Sequence, residues 1–261
     1  MSNGSISLYG CTERSDLEIL MDVIYVLVEK SKPLGTGQLT NKTGANFYKL
    51  DKILGICEKK GFVNHFKLGK REKYEFTPHG KELVYTWLDY VNTFGLKQII
   101  NSRYKEPLPE KENSILKEIM KKKLVLSPKY VRASGNYQRT PIMKYIDLLR
   151  YLKSLGYNYT NRTKIHEKIN VNYNEIPELL ALAFENDHIE IMNTKNMKPT
   201  DRWTISTMKK GRRSKEPKAF IWFKDQLIRI KSEGIQCSEN LDKIMSLYGI
   251  NNLMYTSKNL K

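Results

Sequence analysis

The residues with the most chemistry to offer lie between positions 42 and 73, and that chemistry is recognition of a polyanion rather than the making of bonds. Lys49 and Lys52 stand three apart, one turn along a common face if residues 46–60 form a helix. Asn46, Tyr48 and Lys59 fall on the same outward side, while Phe47, Leu50, Ile53, Leu54 and Cys57 share an apolar face turned inward. A helix divided in this way suits a duplex, because the major groove, roughly 12 Å wide, admits one helix whose back is anchored in a core. Lys42 and Thr43 come just before it, where side chains commonly meet phosphates. Lys67, Lys70, Arg71 and Lys73 gather at the tip of an expected hairpin, placed for the flanking backbone or minor groove. Charged helix faces are usually just solvated; a basic hairpin on the same side of the fold favours the contact reading.

Nothing comparable points to catalysis. No Ser/His/Asp set or carboxylate pair has suggestive local spacing. The 3 cysteines and 4 histidines are scattered, with no CxxC pair, so neither a zinc site nor a disulfide framework can be assembled. Gly35-Thr36-Gly37 and Asn41-Lys42-Thr43-Gly44 lack the Gly-Lys-Thr order and the preceding strand of a phosphate loop. The expectation is a non-enzyme with no cofactor and no metal. The charge balance gives it a partner class: 45 Lys+Arg against 28 Asp+Glu, a net +17. Such a surplus repels itself unless an anion neutralises it, although a lysine-rich genome would inflate the same count. Glu13, Asp16, Glu18 and Asp22 occupy the place of a signal peptide's apolar run, and no apolar stretch reaches membrane-spanning length. A cytoplasmic, nucleoid-associated protein without membrane contact is expected.

The elements that must position these side chains follow from periodicity and breakers. Leu17, Leu20, Met21, Ile24, Leu27 and Val28 mark a first helix capped at Ser15 or Asp16. A short helix through Leu39 stops at Gly44, and the helix 46–60 stops at Gly61. Phe62–Leu68 and Lys73–Phe76 alternate as two strands around Gly69. A longer helix begins at Pro78, carries Leu83, Val84, Trp87, Leu88 and Val91, and is expected to continue past Gly95 to Ile100.

The run YKLDKILGICEKKGFV followed by YEFTPHGKELV resembles the archaeal winged helix-turn-helix DNA-binding regulator family, over residues 16–91. Tyr74, Phe76, Thr77, Gly80 and Leu83 match that family's pattern at the end of the second strand. The resemblance implies a winged-helix fold, duplex DNA as partner, and a homodimer through the helix after the wing, here 78–100.

The same order recurs more faintly. Ile142–Leu152, Asn161–Ile169 and a helix started by Pro177 precede two expected strands, His188–Met192 and Arg202–Ser206, joined by a loop with Lys195 and Lys198. Arg162 and Lys164 make its second helix basic, whereas Glu175, Glu178, Glu185 and Asp187 make its third acidic. That acidity favours a protein partner on 175–187, or structural duplication, over base reading. A helix is expected from Pro217 to Lys231 and another near 241–248. The expected architecture is mainly α with small β-hairpins (α+β), as tandem winged helices: 15–105, a basic linker 106–138, 139–208, and a basic connector with C-terminal helices over 209–261. The function expected is double-stranded DNA binding, in transcription regulation or chromosome organisation. A winged-helix protein-interaction scaffold is the alternative; attachment to a membrane surface is weaker, since neither 117–123 nor 209–215 has a continuous apolar face.

Overall fold

The structure, a computed structural model, describes residues 14–104, 115–121, 139–193, 198–199 and 226–254. Helices dominate them, with two small antiparallel sheets, in keeping with the α+β class. The described residues divide into an N-terminal unit (14–104, 115–121, 139–143 and 239–254) and a central unit (144–193, 198–199 and 226–238).

In the N-terminal unit, α1 (Asp16–Lys30) starts at a reciprocal cap: Ser15 Oγ accepts from Glu18 N–H, and the Glu18 carboxylate accepts from Ser15 N–H at 2.7 Å. Residues 16–28 are all buried, so α1 is the strut around which the unit packs. Three of its buried groups are carboxylates, Asp16, Glu18 and Asp22. Glu18 accepts from Asn101 N–H at 2.6 Å, and Asp22 takes the Arg14 guanidinium at 2.5 Å, the Ser102 hydroxyl and Arg103 N–H. Burial pushes both carboxyls above the usual range, and these bonds fasten residues 101–103 to α1.

The order continues as α2 (Thr36–Thr43), α3 (Phe47–Lys59), β1 (Val63–Leu68), β2 (Arg71–Phe76) and α4 (Pro78–Thr93). The Thr77 hydroxyl accepts from Gly80 N–H at 3.0 Å and donates to Gly61 O at 2.6 Å, tying the start of α4 to the end of α3. A Cβ at Gly80 would lie 2.2 Å from Phe62 O, so only glycine lets α4 approach β1 this closely. Contrary to expectation α4 does not reach residue 100: Phe94 ends it, Gly95 at φ +66° turns the chain, and Leu96–Gln98 form a 3₁₀ turn. α5 (Ile115–Lys121), inside the expected linker, packs on α4 with Leu116 and Ile119 buried. The segment 239–254 also belongs here. Tyr248 donates to Glu82 at 2.9 Å, lies 3.2 Å from the Thr86 hydroxyl, and packs its ring against Phe62 and His79. Tyr248 thus lies against α4 at Glu82 and Thr86.

The central unit runs α6 (Pro141–Ser154), α7 (Arg162–Ile169), α8 (Ile176–Glu185), β3 (Ile189–Asn193), β4 (Lys198–Pro199), β5 (Gln226–Ile230) and the first turns of α9 (Ser232–Leu247). Its sheet has the order β4-β3-β5, with Ile189 opposite Ile230 and Ile191 opposite Ile228. Two expectations are corrected here. The main partner of β3 is β5, within the expected helix 217–231, and the unit extends to residue 238 rather than ending at 208. The strand expected over Arg202–Ser206 lies outside the described residues. Ladder pairing across residues 194–225 decides the conformation of Gln226–Ile230, and local spacing cannot report it.

The two units share one set of backbone bonds. Leu34 exchanges two hydrogen bonds with Tyr74 at 2.9 and 2.8 Å; Thr160 does the same with Ile228, also at 2.9 and 2.8 Å. Phe62 N–H donates to Cys57 O at 2.8 Å and Phe62 O accepts from Thr77 at 3.0 Å; His188 N–H donates to Ala183 O at 2.8 Å and its carbonyl accepts from Lys231 at 2.9 Å. Gly234 repeats Gly80, since a Cβ there would lie 2.3 Å from His188 O. The spacings repeat as well: Leu34 to Phe62 matches Thr160 to His188, and Tyr74 to Gly80 matches Ile228 to Gly234.

Candidate nucleic-acid interface

α3 is anchored as its spacing requires. Leu50, Ile53, Leu54 and Cys57 are buried, and Asn46 Oδ1 caps the helix by accepting from Tyr48 N–H at 2.9 Å. Phe47 departs from the expected inward face. It is 55% exposed and meets the Tyr48 ring edge-on at 6.1 Å, while Tyr48 itself is 83% exposed. The first residue of a helix lies past the reach of the core that holds the turns behind it.

Two of the three lysines of α3 have partners in the fold. Lys49 Nζ donates to Arg14 O at 3.2 Å, and Lys52 Nζ pairs with Asp16 Oδ2 at 3.0 Å. Both link α3 to the chain at the start of α1, and Lys52 keeps 44% of its side chain exposed. The expected role of Thr43 is corrected. Fully buried, its hydroxyl donates to Leu39 O at 2.8 Å and accepts from Ala45 N–H at 3.2 Å, holding the turn between α2 and α3. Lys42 is half-buried beside that turn, and its carbonyl accepts from the Arg103 guanidinium at 3.1 Å and the Tyr104 hydroxyl at 3.3 Å. Arg103 is exposed at this place and was not singled out from sequence; only its bonds to Asp22 bring it here.

The chain matches no family model and no curated protein.

At the hairpin the expectation and the geometry agree more closely. β1 and β2 pair in register from Val63–Phe76 to Leu68–Arg71, so Gly69 and Lys70 form the tip, with Gly69 at φ +64°. Lys67, Lys70 and Arg71 are exposed there; Lys73 is half-buried, its Nζ 3.4 Å from Gln38 Oε1 of α2. Lys59 is exposed at the end of α3. His65 stacks on Tyr74 at 4.6 Å, with Glu58 and Glu72 at 3.5 and 3.7 Å, joining the base of the hairpin to the end of α3. The exposed outer surface of α3 also carries Asp51, Gly55 and Glu58.

The central unit offers no equivalent reading helix. Ile176 and residues 179–183 of α8 are buried, leaving only Glu185 exposed. Of its expected acidic set, Glu175 is buried in an ion pair with Lys144 at 2.7 Å, and Asp187 pairs with Lys231. Pro177, Glu178 and Phe184 are half-buried, and Asp187 is exposed beyond the end of the helix. Arg162 is committed as well: its guanidinium lies 3.8 Å above the Tyr173 ring and donates to Tyr173 O at 2.6 Å, and desolvation lowers its pKa. Lys164 is exposed on α7. Lys198 lies on β4, and Lys195 lies outside the described residues. Among the described residues no group of three His, Cys, Asp or Glu could hold a metal ion, and no helix is long and apolar enough to cross a membrane.

Proposed function

We propose that the chain is a double-stranded DNA-binding protein of two winged helix-turn-helix units, in which the N-terminal unit contacts the duplex and the central unit is a structural duplicate. Nucleoid association, in transcription regulation or chromosome organisation, follows from that reading. The observation that carries it is the pairing of an exposed N-terminal half of α3 with an exposed cationic hairpin tip, Lys67, Lys70 and Arg71, on one compact unit. In this arrangement the start of the helix meets base edges and the wing meets phosphates. The net charge of +17 supplies the long-range attraction. Lys49, Lys52 and Thr43 leave the contact set, and Arg103 joins Lys42 at the turn before the helix.

Replacing Lys67, Lys70 and Arg71 together by Ala tests it. Affinity for duplexes of any sequence should fall, and the slope of log affinity against log salt should flatten by about 0.9 per lost phosphate contact. Unchanged affinity and slope would remove the wing from the mechanism. The scaffold reading keeps one specific observation, the exposed Phe47 and Tyr48 beside Asp51. It predicts no binding of random duplex at physiological salt.

A further inference from the structure

The outward surface of α3 begins with two exposed rings, and its exposed lysines, Lys52 and Lys59, lie further along. Guanine presents two acceptors in the major groove and is usually met there by Arg or Lys. The two lysines nearest the start of α3, Lys49 and Lys52, are bonded to Arg14 O and Asp16. Asp51, exposed one turn beyond Tyr48, is itself an acceptor and repels that guanine edge. Thymine differs: its methyl group takes apolar contact. Phe47 and Tyr48 project into solvent from the first turn of the helix, with no partner for their faces beyond each other's edge.

Gly55 adds an independent sign of close approach. It lies mid-helix, seven residues after Tyr48 and therefore on the same stripe, and is exposed. A glycine there weakens the helix relative to Ala, yet a Cβ would meet nothing within 4 Å. Nothing inside the fold calls for it; a groove wall or backbone lying against the stripe would.

We infer that Phe47 and Tyr48 read thymine methyl groups in the major groove, so that the preferred ligand is an A·T-rich duplex. This rests on the DNA-binding reading, and the exposed cations of the wing supply the charge complementarity that brings the duplex to this face. Burial of one methyl is worth about fourfold in affinity, so two rings engaging two thymines give roughly tenfold or more.

The experiment uses the full chain and three duplexes of equal length: alternating dA·dT, alternating dA·dU, and alternating dG·dC. Uracil lacks only the methyl group. Wild type should bind dA·dT about tenfold more tightly than dA·dU, as the per-methyl transfer value requires. The double variant Phe47→Ala/Tyr48→Ala should bind those two duplexes equally. Both side chains are more than half exposed, so the variant should keep the wild-type melting temperature. Equal wild-type affinity for dA·dT and dA·dU overturns the methyl contact while leaving DNA binding intact. Failure to bind any of the three overturns both readings.

Discussion

Lys52 shows how a single bond separates two readings of one residue. Its amine reaches Asp16, whose carboxylate is almost fully buried at the first turn of α1. Lys52→Ala should therefore cost stability, about 0.5–1 kcal/mol for a half-exposed pair, and leave duplex affinity unchanged. A loss of affinity at constant melting temperature would restore Lys52 to the interface. His188 gives a second test at this scale. Burial holds its imidazole at about 4, against 6.5 ordinarily, and Nδ1 lies 2.6 Å from the Tyr145 hydroxyl. The folded state thus favours the neutral ring. The stability this confers is complete above 6.5 and is lost as pH falls toward 4, by up to about 1.4 kcal/mol per unit. His188→Gln, which keeps an acceptor for Tyr145, should remove that slope when unfolding free energy is followed by denaturant titration from pH 7 to 4. Identical slopes would show that His188 takes up its proton as readily in the fold as in the unfolded chain. These roles were not legible in sequence. Leu50, Ile53, Leu54 and Cys57 announce their burial by spacing, but Lys49, Lys52 and Thr43 look outward until Arg14, Asp16 and Leu39 are placed beside them.

Among elements, the hairpins explain what local pattern could and could not give. β1 and β2 are joined by Gly69 and Lys70, so alternation and a turn signal sit within one short window, and the strands are legible. β3 and β5 make an equivalent pair across residues 194–225, and Gln226–Ile230 offers only five residues of alternation, too few to distinguish strand from helix. The Tyr-x-Phe-Thr-x-x-Gly pattern proved to be a structural device: Thr77 caps α4 and Gly80 admits it against Phe62. Its counterpart in the central unit is the bond from Lys231 to His188 O with the close approach at Gly234. Two glycine substitutions test this equivalence, and a third serves as a control. Gly80→Ala and Gly234→Ala place a Cβ against a backbone carbonyl and should each destabilise by roughly 1–3 kcal/mol. Gly55→Ala meets open space and should stabilise by about 0.5–1 kcal/mol. If Gly234→Ala is neutral while Gly80→Ala is not, the two units are not built alike.

At the scale of the whole molecule, the C-terminal segment decides what α4 is available for. Winged-helix proteins that pair through the helix after the wing need its apolar face free. Here Trp87, Tyr90 and Val91 are buried, α1 and α5 pack on the helix, and Tyr248 bonds to Glu82 and Thr86. Burial drives the Tyr248 phenol well above its usual range, as expected for a hydroxyl donating to a carboxylate away from water. Tyr248 therefore covers the side of α4 that carries Glu82 and Thr86. Light scattering on the purified chain should give the mass of one copy, 30.5 kDa. Tyr248→Ala removes a buried aromatic ring, so unfolding free energy should drop by about 3–5 kcal/mol; where the fold survives, the uncovered α4 should raise the mass with concentration. A wild-type dimer that persists on dilution, and is split by a substitution on the exposed surface of α4 at Asn92 or Thr93, would mean that the intrachain cover leaves an interface in place. Under the proposed DNA-binding function, a monomer would need one half-site and no palindrome.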